Sequence, residues 1–162
     1  MFGYIKFAIS IFIVLSASRF IPHPPNFTSL IALSFYVPAY FGSKFTPVVL
    51  ISFAITDFFL GFHSILLFTW MSVLIIGFSS KYLRFKISHR LIGVFSAAIF
   101  FYLFTNFGVW LNGMYEFNLN GLLTSYTMAL PFFYNTLLST LIYSILLEVI
   151  IKIYSQIKIS YN

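Results

Sequence analysis

Six apolar stretches separated by short polar breaks account for most of this chain, and they leave it few ways to fold. They cover residues 2–20, 28–41, 47–60, 64–80, 91–107 and 128–153. A helix of about 20 apolar residues crosses the hydrocarbon core of a bilayer. In lipid every backbone N–H and C=O must find a partner inside the protein, which leaves helices or closed barrels. Of the 162 residues 60% are hydrophobic and 7% charged, against roughly 45–50% and about 25% in soluble domains. The expected architecture is an all-α membrane protein, a bundle of six transmembrane helices, with residues 1–162 forming a single domain. Segments two and three are short for a full crossing, so they read as tilted helices or as a hairpin dipping partly across. Pro38 and Pro131 are tolerable where neighbouring helices satisfy the freed carbonyls.

Charge orients the bundle. With six spans, Lys6, Lys44, the four cations of the 81–90 loop, Lys152 and Lys158 fall on one face, which is eight of the nine Lys and Arg residues. Arg19 alone falls on the other. Positive charge favours the cytoplasmic side, so both termini are expected there. An error of one span would scatter the cations over both faces. Lys6, the apolar run after it and Ser16-Ala-Ser18 also resemble a cleavable signal peptide. Arg19 and Pro22 directly downstream argue against cleavage, which would leave five spans in the same orientation.

On this topology the outer face collects most of the chemistry. Its first piece is the proline-broken loop Arg19-Phe-Ile-Pro-His-Pro-Pro-Asn-Phe-Thr28, with Arg19, His23 and Asn26. The second ends segment three, with Asp57 and His63. The third begins at Thr105 and carries Asn106, Trp110, Asn112, Glu116 and Tyr126, with Asn135 further on. Asp57 lies within an apolar register, where an unpaired carboxylate costs several kcal/mol. Arg19 is the cation expected to meet it, either as an ion pair locking helices one and three or with both groups bound to one ligand. His23 and His63 could join Asp57 around a metal, but no His-x-x-x-His spacing supports this, and no metal site is assigned. The aromatics and asparagines read either as an interfacial belt with Asn-Gly turns at 112–113 and 120–121 or as a pocket for a small ring-bearing ligand. Glu148 is four residues before Lys152, a helical ion-pair spacing.

Several function classes find no support. Cysteine is absent, which removes disulfides, thiolate nucleophiles and cysteine-based metal sites. There is no Ser-His-Asp order with a glycine elbow, no paired-carboxylate motif and no phosphate-cradling loop. An enzyme is therefore not expected, nor a cofactor. The net charge of +6 sits at the ends of apolar runs, as membrane orientation requires, and does not point to nucleic acid.

Four segments resemble those of an uncharacterised family of small bacterial membrane proteins. They are the 19–28 loop, Asp57-Phe-Phe-Leu-Gly-Phe-His63, Thr105-Asn-Phe-Gly-Val-Trp110 and Leu130-Pro-Phe-Phe-Tyr-Asn-Thr136. That family is in turn similar to the substrate-binding (S) components of energy-coupling-factor transporters. The resemblance implies a six-helix bundle in the bacterial cytoplasmic membrane that binds a vitamin-like solute from outside. The outer loops after helices one, three and five would form the pocket. An ATP-driven module with its own transmembrane partner would move the subunit. Ser16-Ala-Ser18 departs from the alanine-spaced partner face of that group. On this reading Arg19, His23, Asn26, Asp57, His63, Asn106, Trp110, Asn112, Glu116, Tyr126 and Asn135 are candidate ligand contacts. The alternative is a structural or assembly subunit of a larger membrane complex.

Overall fold

The computed structural model describes residues 2–160, with side chains from Tyr4 to Ile153. The side chain of Lys158, expected on the inner face, lies outside the described residues. Among the described residues six α-helices follow one another: α1 (Phe2–Phe20), α2 (Leu30–Phe41), α3 (Thr46–Leu60), α4 (Leu66–Ser79), α5 (Ile87–Leu111) and α6 (Leu119–Ser160). Short 3-10 turns at Ser43–Phe45 and Ser80–Tyr82 precede α3 and follow α4. No strand occurs among the described residues.

Among the described residues three segments are long and apolar enough to cross a membrane: Ser43–Leu60, Ile87–Leu111 and Leu119–Ile153. The stretch before α3 therefore lengthens a segment that looked short in sequence. Segment two stays short. The 12 residues of α2 reach about 18 Å at 1.5 Å each. Every residue from Leu30 to Ala39 is buried, and a helix that is apolar all round belongs inside a protein. α2 packs against each of the other five helices. One face sets Leu30, Leu33 and Val37 against Ile11 and Leu15 of α1 and Val49 and Phe53 of α3. The opposite face sets Ile31, Phe35 and Ala39 against Ile76 of α4 and Val94 and Ala98 of α5. Gly93 lets α5 come close, since a Cβ there would collide with the Phe35 ring.

The outside of the bundle is apolar and much of what is buried is hydroxylated. Ile9 and Ile13 of α1, Ile51 of α3, Met71 of α4, Ile92 of α5 and Ile145 of α6 are exposed, as lipid-facing side chains would be. Ser34, Ser72, Ser80, Ser139 and Ser144 are buried. Each donates its hydroxyl hydrogen to a carbonyl three or four residues back. That bond satisfies a buried hydroxyl without a partner on another helix, and small residues let helices approach.

The polar-aromatic stretch expected over 108–127 shrinks to residues 112–118, because α5 runs on to Leu111 and α6 begins at Leu119. The Asn118 side-chain oxygen accepts from the Gly121 amide at 2.8 Å, an N-cap that starts the helix. Asn112-Gly113 is a turn with Gly113 at φ +74°. Asn120-Gly121, expected to be another, instead lies in the first turn of α6. Gly121 is required there by contact, because a Cβ would strike the Glu116 backbone.

Candidate functional site

Three loops, 21–29, 61–65 and 112–118, converge at one end of the bundle. Side-chain amides and hydroxyls hold them. Ser18 of α1 bonds the Ser29 hydroxyl at 2.8 Å and accepts from the Ser29 amide at 3.1 Å, closing the first loop. Asn135 of α6 donates to the Pro25 carbonyl at 3.0 Å. Asn112 donates to the Ser64 carbonyl at 3.0 Å. Trp110 donates to the Glu116 carbonyl at 3.1 Å and stacks on Phe117 with ring centres 4.4 Å apart. The Glu116 carboxylate accepts from Asn118 at 2.8 Å. Tyr126 donates to the Leu103 carbonyl at 3.1 Å, and its own carbonyl accepts from Tyr102 at 2.7 Å.

Beneath the first two loops lies a buried ion pair. Arg19 Nη1 stands 2.6 Å from Asp57 Oδ1, and the Asp57 side chain is fully buried. The other Asp57 oxygen accepts from Trp70 Nε1 at 2.8 Å. Arg19 also donates to the Thr56 hydroxyl, and its guanidinium lies 4.4 Å from the centre of the Phe53 ring. The carboxylate thus joins α1, α3 and α4. Trp70 was not singled out by the sequence, although a tryptophan inside an apolar segment needs an acceptor for its N–H and Asp57 was the nearest unsatisfied one. Trp70→Phe keeps an aromatic side chain but loses a hydrogen bond to a charged group and part of the indole's volume, so it should lower unfolding stability by at least about 1.5–3 kcal/mol, read by thermal melting in detergent.

Next to this pair two adjoining chambers open under the loops. The larger, about 560 Å³, is lined by loop residues including Asn26, His63 and Tyr115 and, deeper, by Thr69 of α4, Phe101, Thr105 and Asn106 of α5, and Ser125, Ala129, Phe132 and Thr136 of α6. The smaller, about 250 Å³, is lined by Arg19, His23, Asn26, Thr28 and Phe53 among others, and shares His63, Thr69, Phe101 and Thr136 with the first. Of the residues named from sequence, Arg19, His23, Asn26, His63 and Asn106 therefore reach a chamber wall. Asp57, Trp110, Asn112, Glu116, Tyr126 and Asn135 are not among the lining residues, and their bonds hold loops and helices instead. Residues 125, 129, 132 and 136 share one face of α6, a helical spacing visible in the sequence but hidden there by the surrounding apolar residues. Among the described residues no group of three or more His, Asp or Glu is placed to hold a metal.

His63 sits at the junction of the chambers, outside the helices. Burial holds its imidazole below the ordinary histidine range; the Asp57 carboxylate opposes this, and Arg19 acts with burial. A folded-state pKa below the unfolded value means that the unfolded chain takes up the proton first as pH falls. Stability contributed by the neutral ring is present above the unfolded value and is lost below it. The melting temperature should therefore decline as pH drops below about 6.5, and less steeply in His63→Gln.

At the opposite end, Arg90 of α5 grips Glu148 of α6 through two bonds, Nε to Oε1 at 2.6 Å and Nη2 to Oε2 at 2.8 Å. Tyr40 of α2 donates to Glu148 at 3.1 Å, and the Arg90 guanidinium lies 4.9 Å from the Tyr40 ring centre. The expectation that Lys152 accounts for Glu148 thus missed its bidentate partner. Arg90 is 58 positions away, where helical spacing gives no signal.

No curated protein and no solved structure matches the chain. A family model described as a family of unknown function (DUF6580) matches residues 4–159. With nearly its whole length matched, the chain belongs to the DUF6580 family.

Proposed function

We propose that this protein is the solute-binding membrane subunit of an uptake transporter, akin to the S components of energy-coupling-factor transporters. The observation that carries the reading is the chamber of about 560 Å³ under three loops at one end of the bundle. Small-molecule sites are clefts of about 300–1,000 Å³ with apolar, aromatic walls and a few polar anchors. This chamber has that size and that lining. In this reading all six helices are embedded, both termini face the cytoplasm, the loops open outward and the membrane is the bacterial inner membrane. An ATP-driven module with a transmembrane partner moves the subunit, which contributes no catalysis of its own. The contacts to solute come from Asn26, His63, Asn106 and the deep wall of α4–α6, while the Arg19–Asp57 pair serves as scaffold beside them.

The test is retention of a solute. Protein purified gently in detergent should release a small molecule detectable by mass spectrometry, and that molecule should raise the melting temperature when added back. Ala129→Trp, which fills the chamber, should abolish both effects while leaving helix content by circular dichroism intact. An empty wild-type protein, with no melting shift from any vitamin, precursor or nucleobase, would defeat the reading. A second reading, a structural subunit of a larger complex, draws on the engagement of Arg19 and Asp57 with each other and with Trp70. It expects a stable protein partner and no solute.

A further inference from the structure

The larger chamber has a hydrogen-bonding polarity. Its deep wall carries four buried hydroxyls, on Thr69, Thr105, Ser125 and Thr136. A hydroxyl has one hydrogen and two lone pairs, and in each of these the hydrogen is already given to a carbonyl of its own helix. Thr69 donates to Leu66 at 2.8 Å, Thr105 to Phe101 at 2.7 Å, Ser125 to Leu122 at 2.8 Å and Thr136 to Phe132 at 2.9 Å. Asn106 donates one N–H to the Tyr102 carbonyl at 2.7 Å and keeps a second N–H as well as its amide oxygen. The lining Tyr102 donates its hydroxyl hydrogen to the Tyr126 carbonyl. Asn106 apart, the polar groups of the deep wall therefore offer oxygen lone pairs, and in the low-dielectric surroundings of a helix bundle a hydroxyl gives up an intrahelical bond at a cost comparable to any bond it would form instead.

The same wall carries no formal charge. None of the residues lining the larger chamber is Asp, Glu, Lys or Arg. Arg19 faces the smaller chamber and is neutralised by Asp57 at 2.6 Å. A charged solute would enter without a counter-ion, at a desolvation cost of several kcal/mol. Phe101, Tyr102, Phe132 and Phe133 supply flat apolar faces.

We propose that the deep wall of the larger chamber selects neutral, ring-bearing solutes that present two or more N–H or O–H donors, and that it discriminates against anions and against solutes with only acceptors, while Asn26 and His63 on the loop side can donate as well as accept. The proposal rests on the solute-binding reading and specifies which face of hydrogen-bond chemistry the site recognises.

The test compares three probes on the full chain in detergent at neutral pH: 9-methyl-2,6-diaminopurine, 9-methyl-2,6-dimethoxypurine, which has acceptors and no N–H, and benzoate. Diaminopurine should raise the melting temperature in a saturable way, and the other two should not. Thr105→Val and Thr136→Val each replace a lone-pair oxygen with a methyl of the same shape. Each should weaken diaminopurine about five- to tenfold, the scale of one neutral hydrogen bond. The wild-type comparison stands without these variants if either fails to fold. Equal or larger shifts with dimethoxypurine or benzoate would overturn the polarity while leaving a solute-binding chamber in place. No shift from any of the three, in protein that still releases a solute by mass spectrometry, would overturn the ligand class alone. No shift together with an empty protein would remove both this proposal and the reading beneath it.

Discussion

Asp57→Asn is expected to destabilise the protein by about 3–5 kcal/mol, the range for breaking a buried ion pair from one side. The substitution leaves the Arg19 guanidinium where it is, 14% exposed, with the Thr56 hydroxyl and the Phe53 ring but no counter-charge. It also weakens the Trp70 bond, since a neutral amide oxygen accepts less strongly than a carboxylate. The check is thermal or denaturant melting in a fixed detergent, with Arg19→Met alongside. Arg19→Met should fall as far, because it strands a fully buried carboxylate. The double variant Arg19→Met/Asp57→Leu should recover much of the loss, since apolar replacement of a whole buried pair is often neutral. If Asp57→Asn melts like the wild type but no longer retains solute, Asp57 works on a ligand and the scaffold role assigned above is wrong. If the double variant recovers stability and keeps solute, the pair is scaffold only.

That pairing was legible in the sequence, for a simple reason. One carboxylate in an apolar register and one cation on the same face have few partners to choose between, so burial cost nearly determines the match. The helices were legible for the same reason: apolar runs and proline breaks place α1, α3 and α4 within two residues of their observed ends. The reading weakened wherever side chains had many equivalent options. Asn112, Asn135 and Trp110 looked like ligand contacts, but they bond Ser64, Pro25 and Glu116 carbonyls. An asparagine serves a loop carbonyl and a solute with the same chemistry, and its sequence position does not distinguish them. The deep wall was missed for the opposite reason. Thr105, Ser125 and Thr136 are ordinary residues in a membrane helix, and their convergence depends on how α5 and α6 rotate against each other. α6 also began nine residues earlier than its apolar pattern suggested, because Asn118 caps it and capping outweighed the local polarity.

The second large effect is expected at the other end of the bundle. Glu148→Gln should cost about 2–4 kcal/mol, somewhat below the Arg19–Asp57 pair because Arg90 and Glu148 keep 12% and 13% of their exposure and exposure weakens an ion pair. The carboxylate is gripped in bidentate fashion by Arg90 and takes a third bond from Tyr40, so one substitution loosens α2, α5 and α6 together. α2 is the helix that every other helix packs against, and its N-terminal end forms part of the wall of the smaller chamber through Leu30 and Ile31. The two pairs clamp different helices: Arg19–Asp57 holds α1, α3 and α4, while Arg90–Glu148 holds α2, α5 and α6. Stability losses in Asp57→Asn and Glu148→Gln should therefore add in the double variant to within about 0.5 kcal/mol, as they do for distant sites. Solute retention should survive Glu148→Gln, whose carboxylate is remote from the chambers. A coupling above about 1 kcal/mol, or loss of solute in Glu148→Gln at a temperature where the protein stays folded, would mean that α2 transmits the state of the Arg90–Glu148 clamp to the chambers at the other end. The two ends would then act as one switch instead of two independent fastenings.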